Sequence, residues 1–209
     1  MQTYRPAQSP PNLVLLSIAA IFSLVSIGCS DTVVLFPPMT FEVRNELLDS
    51  LHFVNLEYMD FSLPKGYVAL HDSIINKANI AMNGQYEDEI PIFELKSGYY
   101  CQADSLNLLL ISQAGGEFWS KSEFHIAVRN YDVAYQKFAP DAQTTVFSIN
   151  GINCWQARRI EGKRIHFRWI FGDNSEKKPT QIDFFYIALP DADMGRVIES
   201  MLGTVRLTH

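Results

Sequence analysis

The residues with the most chemistry to offer lie close together. Arg158, Arg164, His166 and Arg168 fall in a stretch that reads as two strands around an Ile160-Glu161-Gly162 turn. A three-residue turn puts all four on one side of the hairpin, with Gln156 and Cys154. Trp155, Ala157, Ile165, Phe167 and Trp169 then line the other side as core. Four potential cations on one strand pair can hold a carboxylate or phosphate bidentately, so this stripe is a candidate anion site. The competing use is structural: long arginine stems cover an outer sheet face and pair with helix carboxylates.

Other patterns offer less. Ser175-Glu176-Lys177-Lys178 has S-x-x-K spacing. In a loop bounded by Gly, Asn and Pro, however, the lysine stays protonated and cannot activate the serine. Asp191 and Asp193 open like a calcium loop, lack its later acidic ligands, and read better as helix capping. His52, His71, His125, His166 and His209 form no i,i+4 pair and no H-E-x-x-H, so neither a metal nor a cofactor is expected. No nucleophile elbow, P-loop or dinucleotide fingerprint occurs, and no catalytic residue is assigned. At 209 residues and a net charge of −6, the chain is the size of one domain and an unfavourable binder of nucleic acid.

The three cysteines, Cys29, Cys101 and Cys154, do not form one set. Residues 13–28 are sixteen uncharged positions ending in Gly28, directly before Cys29. As a helix this run is about 24 Å long, short of a ~30 Å hydrocarbon core and suited to a signal-peptide apolar region. Val25-Ser26-Ile27-Gly28-Cys29 resembles the bacterial lipoprotein signal. That resemblance implies cleavage between Gly28 and Cys29, acylation of the Cys29 thiol and a membrane partner reached through the acyl chains. Ser30 after the cysteine implies passage to the outer membrane of the bacterial envelope. Ser26, where the family prefers Leu, and the weakly basic start depart from the pattern. Two or three acyl chains anchor stably where one does not. Residues 1–28 are then a signal peptide, 29–40 a lipidated tether stiffened by Pro37-Pro38, and 41–209 a single α+β domain. Losing Arg5 with the signal leaves 16 basic against 23 acidic side chains, a net −7. In an exported domain Cys101 and Cys154 either form a disulfide or remain two separate buried thiols.

The elements that must position these residues follow from periodicity. Phe41 to Val54 favours a short helix, and Phe61–Leu70 reads as strand, Pro-Lys-Gly turn, strand. Residues 71–104 are poorly patterned and hold the acidic cluster Glu87-Asp88-Glu89. Leu106–Ile111 is a buried strand. Phe124, Val128, Tyr131, Tyr135 and Phe138 mark one face of a helix capped by Ser120 or Ser122 and stopped by Pro140. Strands follow at 144–150, 152–159, 163–171 and 181–189, then a helix carrying Met194, Val197, Ile198, Met201 and Leu202, and a closing strand at 204–207.

Phe61-Ser62-Leu63-Pro64-Lys65-Gly66-Tyr67, Phe147-Ser148-Ile149-Asn150-Gly151 and Phe185-Tyr186-Ile187-Ala188-Leu189-Pro190, with the Met194–Val205 ending, together resemble the PsbP-like proteins and DcrB-like lipoproteins over residues 56–207. That resemblance implies an α/β/α sandwich, an antiparallel sheet flanked by helices, with a non-enzymatic accessory or binding role and an envelope protein as partner. The alternatives are an envelope hydrolase with an unrecognised site, or a structural subunit of an envelope complex.

Overall fold

The computed structural model describes residues 36–56, 59–82, 93–103, 106–115, 118–119, 123–172, 178–188 and 193–208, with backbone alone at 51 and 82. Residues 1–28, Cys29, the 87–89 acidic cluster, Ser120, Ser122, Ser175–Lys177 and Asp191 lie outside them.

The domain is mixed α+β and built mostly from strands. One antiparallel sheet runs in the order β3 (Tyr67–Ala69), β4 (Phe93–Cys101), β5 (Leu108–Ala114), β9 (Thr180–Ile187), β8 (Arg164–Gly172), β7 (Ile152–Glu161), β6 (Gln143–Ile149). A smaller sheet pairs β1 (Leu48–Asn55) and β10 (Arg206–Leu207) with the two edges of β2 (Met59–Pro64). Three helices accompany them among the described residues: α1 (Asp72–Met82), α2 (Phe124–Phe138) and α3 (Met194–Gly203).

Turn chemistry sets the long meander. Asn150 and Gly151 both take positive φ, 49° and 82°, as a two-residue type I′ hairpin requires between β6 and β7. Gly162 at φ 62° opens the next two-residue turn, with Glu161 paired to Arg164. The large sheet is buried on both faces, so each face has its own core. On one side Phe147, Cys154, Trp169, Phe171 and Phe184 meet the small sheet and α3. On the other, Trp155, Ala157 and Ile170 meet α2 through Phe124, Val128, Tyr131 and Tyr135. Two of the buried indoles find acceptors, Trp155 Nε1 on Asp132 at 2.9 Å and Trp169 Nε1 on Gln156 at 2.7 Å, whereas Trp119 Nε1 is buried without one among the described residues. Those two bonds spare the rings the desolvation cost of an unpaired buried donor.

Two edges of the large sheet are shielded. Beside β4, Asn79 of α1 donates to Leu95 O and accepts from Leu95 N, both at 2.9 Å, as a neighbouring strand would. Beside β6, the chain from Phe36 to Met39 forms a strap: Ser148 N donates to Pro37 O and Met39 N to Ser148 O. Phe36 packs on Phe124 of one core and Phe41 on Phe147 of the other, so the strap crosses the edge from face to face. Residues 36–40, expected within the tether, are held on the domain.

Several expectations need correction. Leu48–Asn55 is a strand preceded by a short 3-10 turn at Asn45–Leu47, not a helix. Val54 and Leu48 reach the core, but β1 is bulged between Leu48 and Phe53, which breaks strand alternation into helix-like spacing. The unpatterned 71–104 stretch supplies α1 and β4. The strands on either side of the Lys65-Gly66 turn enter different sheets rather than pairing. Phe138, expected on the buried stripe of α2, is 70% exposed.

Candidate binding site

The hairpin register decides where the cations go. With Glu161 opposite Arg164, the pairs run Arg159–His166, Arg158–Phe167, Ala157–Arg168 and Trp155–Ile170. The expected three-residue turn is one residue too long, and a one-residue slip exchanges the faces of one strand relative to its partner. Arg164, His166 and Arg168 therefore share the α2 side with Trp155 and Ala157. Arg158 stands on the opposite side, its guanidinium carbon 5.9 Å from the Phe167 ring centroid and its Nε buried without a hydrogen-bond partner. The expected stripe of four is broken, and Arg159, which the sequence reading left out, occupies the position beside His166.

The inner end of this row is a closed polar cluster. Asp183 on β9 lies opposite Arg168 and is buried at 4% exposure. Its Oδ1 accepts from Arg168 Nε at 2.7 Å and from His166 Nε2 at 2.6 Å, and its Oδ2 from Gln181 Nε2. Burial alone would raise the Asp183 carboxyl, but the Arg168 charge, with the His166 hydrogen bond and charge, outweighs it and holds the pKa at about 2. Burial opposes the Arg168 cation in the same way, and the Asp183 charge more than compensates, leaving its pKa raised. Arg168 also donates to the Tyr131 hydroxyl at 3.2 Å and sits 5.5 Å from the Tyr135 ring centroid. Burial pushes the Tyr131 phenol up, so it stays neutral and can accept that bond.

Beyond this cluster a pocket of about 440 Å³ is lined, among the described residues, by Leu106 and by residues of β5, β9, β8 and β7. Its floor is two cross-strand rows, Arg159–His166–Phe185–Leu108 and Glu161–Arg164–Ile187. Across the strands the floor changes from charged on β7 and β8 to apolar on β9 and β5. His166 stacks on Phe185 with centroids 4.1 Å apart and planes 5° from parallel, marking the boundary. Arg159 is held by Asp141 at 3.4 Å and Glu161 at 2.8 Å. Arg164 is exposed and makes no ion pair with another described residue.

Cys101 and Cys154 are free thiols. They stand on β4 and β7, with β5, β9 and β8 between them. Four strand spacings amount to roughly 19 Å, against the ~7 Å limit between bridged Cα atoms, so the disulfide alternative is excluded. Burial pushes the Cys154 thiol well up.

Neither a family model nor a curated protein matches the sequence. Among solved structures, a crystal structure from Bacteroides thetaiotaomicron VPI-5482 is similar with a TM-score of 0.37 and 9% identity. The similarity covers 72% of this chain and 45% of that one, so the chain spans under half the length of that protein.

Proposed function

We propose that this chain is a non-enzymatic lipoprotein of the bacterial envelope, anchored through acylated Cys29 and serving a binding role. The anchor reading rests on the uncharged run ending at Gly28-Cys29, and Ser30 directs it to the outer membrane. The finer fold assignment, a PsbP-like α/β/α sandwich, is supported by α1 and α2 over one face of the large sheet and α3 over the other.

The observation that carries the binding role is the open pocket beside a spent cluster. At the inner end of the α2-side row, Asp183 holds both Arg168 and His166. His166 has its Nε2 on that carboxylate and its ring face on Phe185, which fixes the imidazole in place. The adjoining pocket has apolar area and, in Arg164, a charge that makes no ion pair among the described residues, which suits holding a molecule with an anionic group. Ile126 and Val133, exposed on the outer side of α2, are separated by Arg129 and Asn130 and belong to the ordinary scatter of surface apolar residues.

The anchor is tested by Cys29→Ala. The variant is expected to stay unprocessed, or to leave the detergent phase, read by intact mass and phase partitioning. Unchanged mass together with membrane retention would exclude lipidation. The envelope protein partner is sought by pull-down from membranes with the intact lipoprotein.

A further inference from the structure

We infer that the open pocket on β5, β9, β8 and β7 binds a small amphiphile with an anionic head, its head on Arg164 and its hydrocarbon body across Phe185, Ile187 and Leu108. This rests on the binding role proposed above and gives it a ligand class. A volume of about 440 Å³ falls within the ~300–1,000 Å³ range of small-molecule sites. From Arg164 on β8 to Leu108 on β5 the floor spans two strand spacings, roughly 10 Å, enough for a short chain laid across the strands. Along the second row Arg164 follows Glu161, and the apolar surface of Ile187, Phe185 and Leu108 lies beyond it on β9 and β5. Leu106, 60% exposed, adds apolar area at the mouth.

The head is assigned to Arg164 because its neighbours are already engaged. Arg159 is shared between Asp141 and Glu161, and His166 serves Asp183. A guanidinium presents a planar fork that takes a carboxylate or a phosphate ester bidentately, so the shared feature is an oxyanion on a hydrocarbon body. A bare inorganic anion would leave the β9 and β5 half of the floor uncovered. A neutral amphiphile would forgo the charge-assisted hydrogen bond that Arg164 can give an oxyanion.

The test uses the intact lipoprotein in lipid nanodiscs, with empty nanodiscs as reference, and equilibrium dialysis of octanoate, octyl phosphate and octanamide. Both anionic probes are expected to bind saturably, and the neutral amide about tenfold or more weaker, the scale of a charge-assisted hydrogen bond. Arg164→Ala should lower affinity for the anionic probes by about the same factor and leave octanamide unchanged. Arg158→Ala, on the opposite face, should alter nothing. Equal binding of octanoate and octanamide, an unaffected Arg164→Ala, equal competition by inorganic phosphate, or no saturable binding of the anionic probes would each overturn the assignment. None of these results bears on Cys29, whose processing and partitioning are read separately, so failure of the ligand class and failure of the anchor are told apart.

Discussion

Asp183 is the residue on which the most interactions converge. Removing it leaves the Arg168 guanidinium buried without a counter-charge, so Asp183→Ala should cost about 3–5 kcal/mol in denaturant unfolding. Replacing both partners, Asp183→Leu with Arg168→Met, should recover most of that loss, because the desolvation of two charges disappears with them. The acid limb follows from the same pairing. The folded carboxyl is depressed to about 2, below its ordinary value near 4 in the unfolded chain, so its contribution is complete above pH ~4. It fades as pH falls from there through 2, and the double variant should lose that dependence. None of this was legible beforehand: Asp183 reads as a lone acid in an apolar strand, and only cross-strand register puts it against Arg168. The cations were legible as a cluster, but their facing was not. The large sheet is buried on both sides, so apolar residues alternate on both and the pattern accepts either register.

Among the elements, helices and hairpins with strong local signals stood out in the sequence, and those held by distant contacts did not. The Phe124, Val128, Tyr131, Tyr135 spacing marks α2, and Asn150-Gly151 marks its hairpin, because helical period and turn type are properties of a few consecutive residues. By contrast β1 and β4 are strands because of what lies beside them. One is bulged and the other is matched at its edge by the side chain of Asn79. The strap depends on Gly203 at the end of α3, where an added Cβ would come 2.6 Å from Val43 Cγ2 and 3.1 Å from the Phe41 carbonyl oxygen. The backbone oxygen cannot swing away as a side chain can. Gly203→Ala should therefore destabilise the domain by about 1–3 kcal/mol. It should also speed hydrogen exchange at the Met39 and Ser148 amides; unchanged exchange there would show that the strap does not rely on this contact.

At the scale of the whole molecule the two cores share one sheet, so neither can melt alone. Trp155 and Trp169 lie on neighbouring strands and face opposite ways. Trp155→Ala and Trp169→Ala should each cost about 3–5 kcal/mol and leave a single unfolding transition, coincident by fluorescence and far-UV circular dichroism. Separate transitions would mean that the layers are independent. The strap gives this unit a mechanical property as well. From Phe36 onward the chain is fastened to β6, so an acyl anchor at Cys29 leaves at most about 24 Å of extended backbone between lipid and sheet edge. Such a mooring would be short. A moored domain searches a thin layer above the bilayer instead of the full depth of the compartment. Partners confined to the same layer would then meet it at a high effective concentration, and a modest intrinsic affinity would suffice for occupancy.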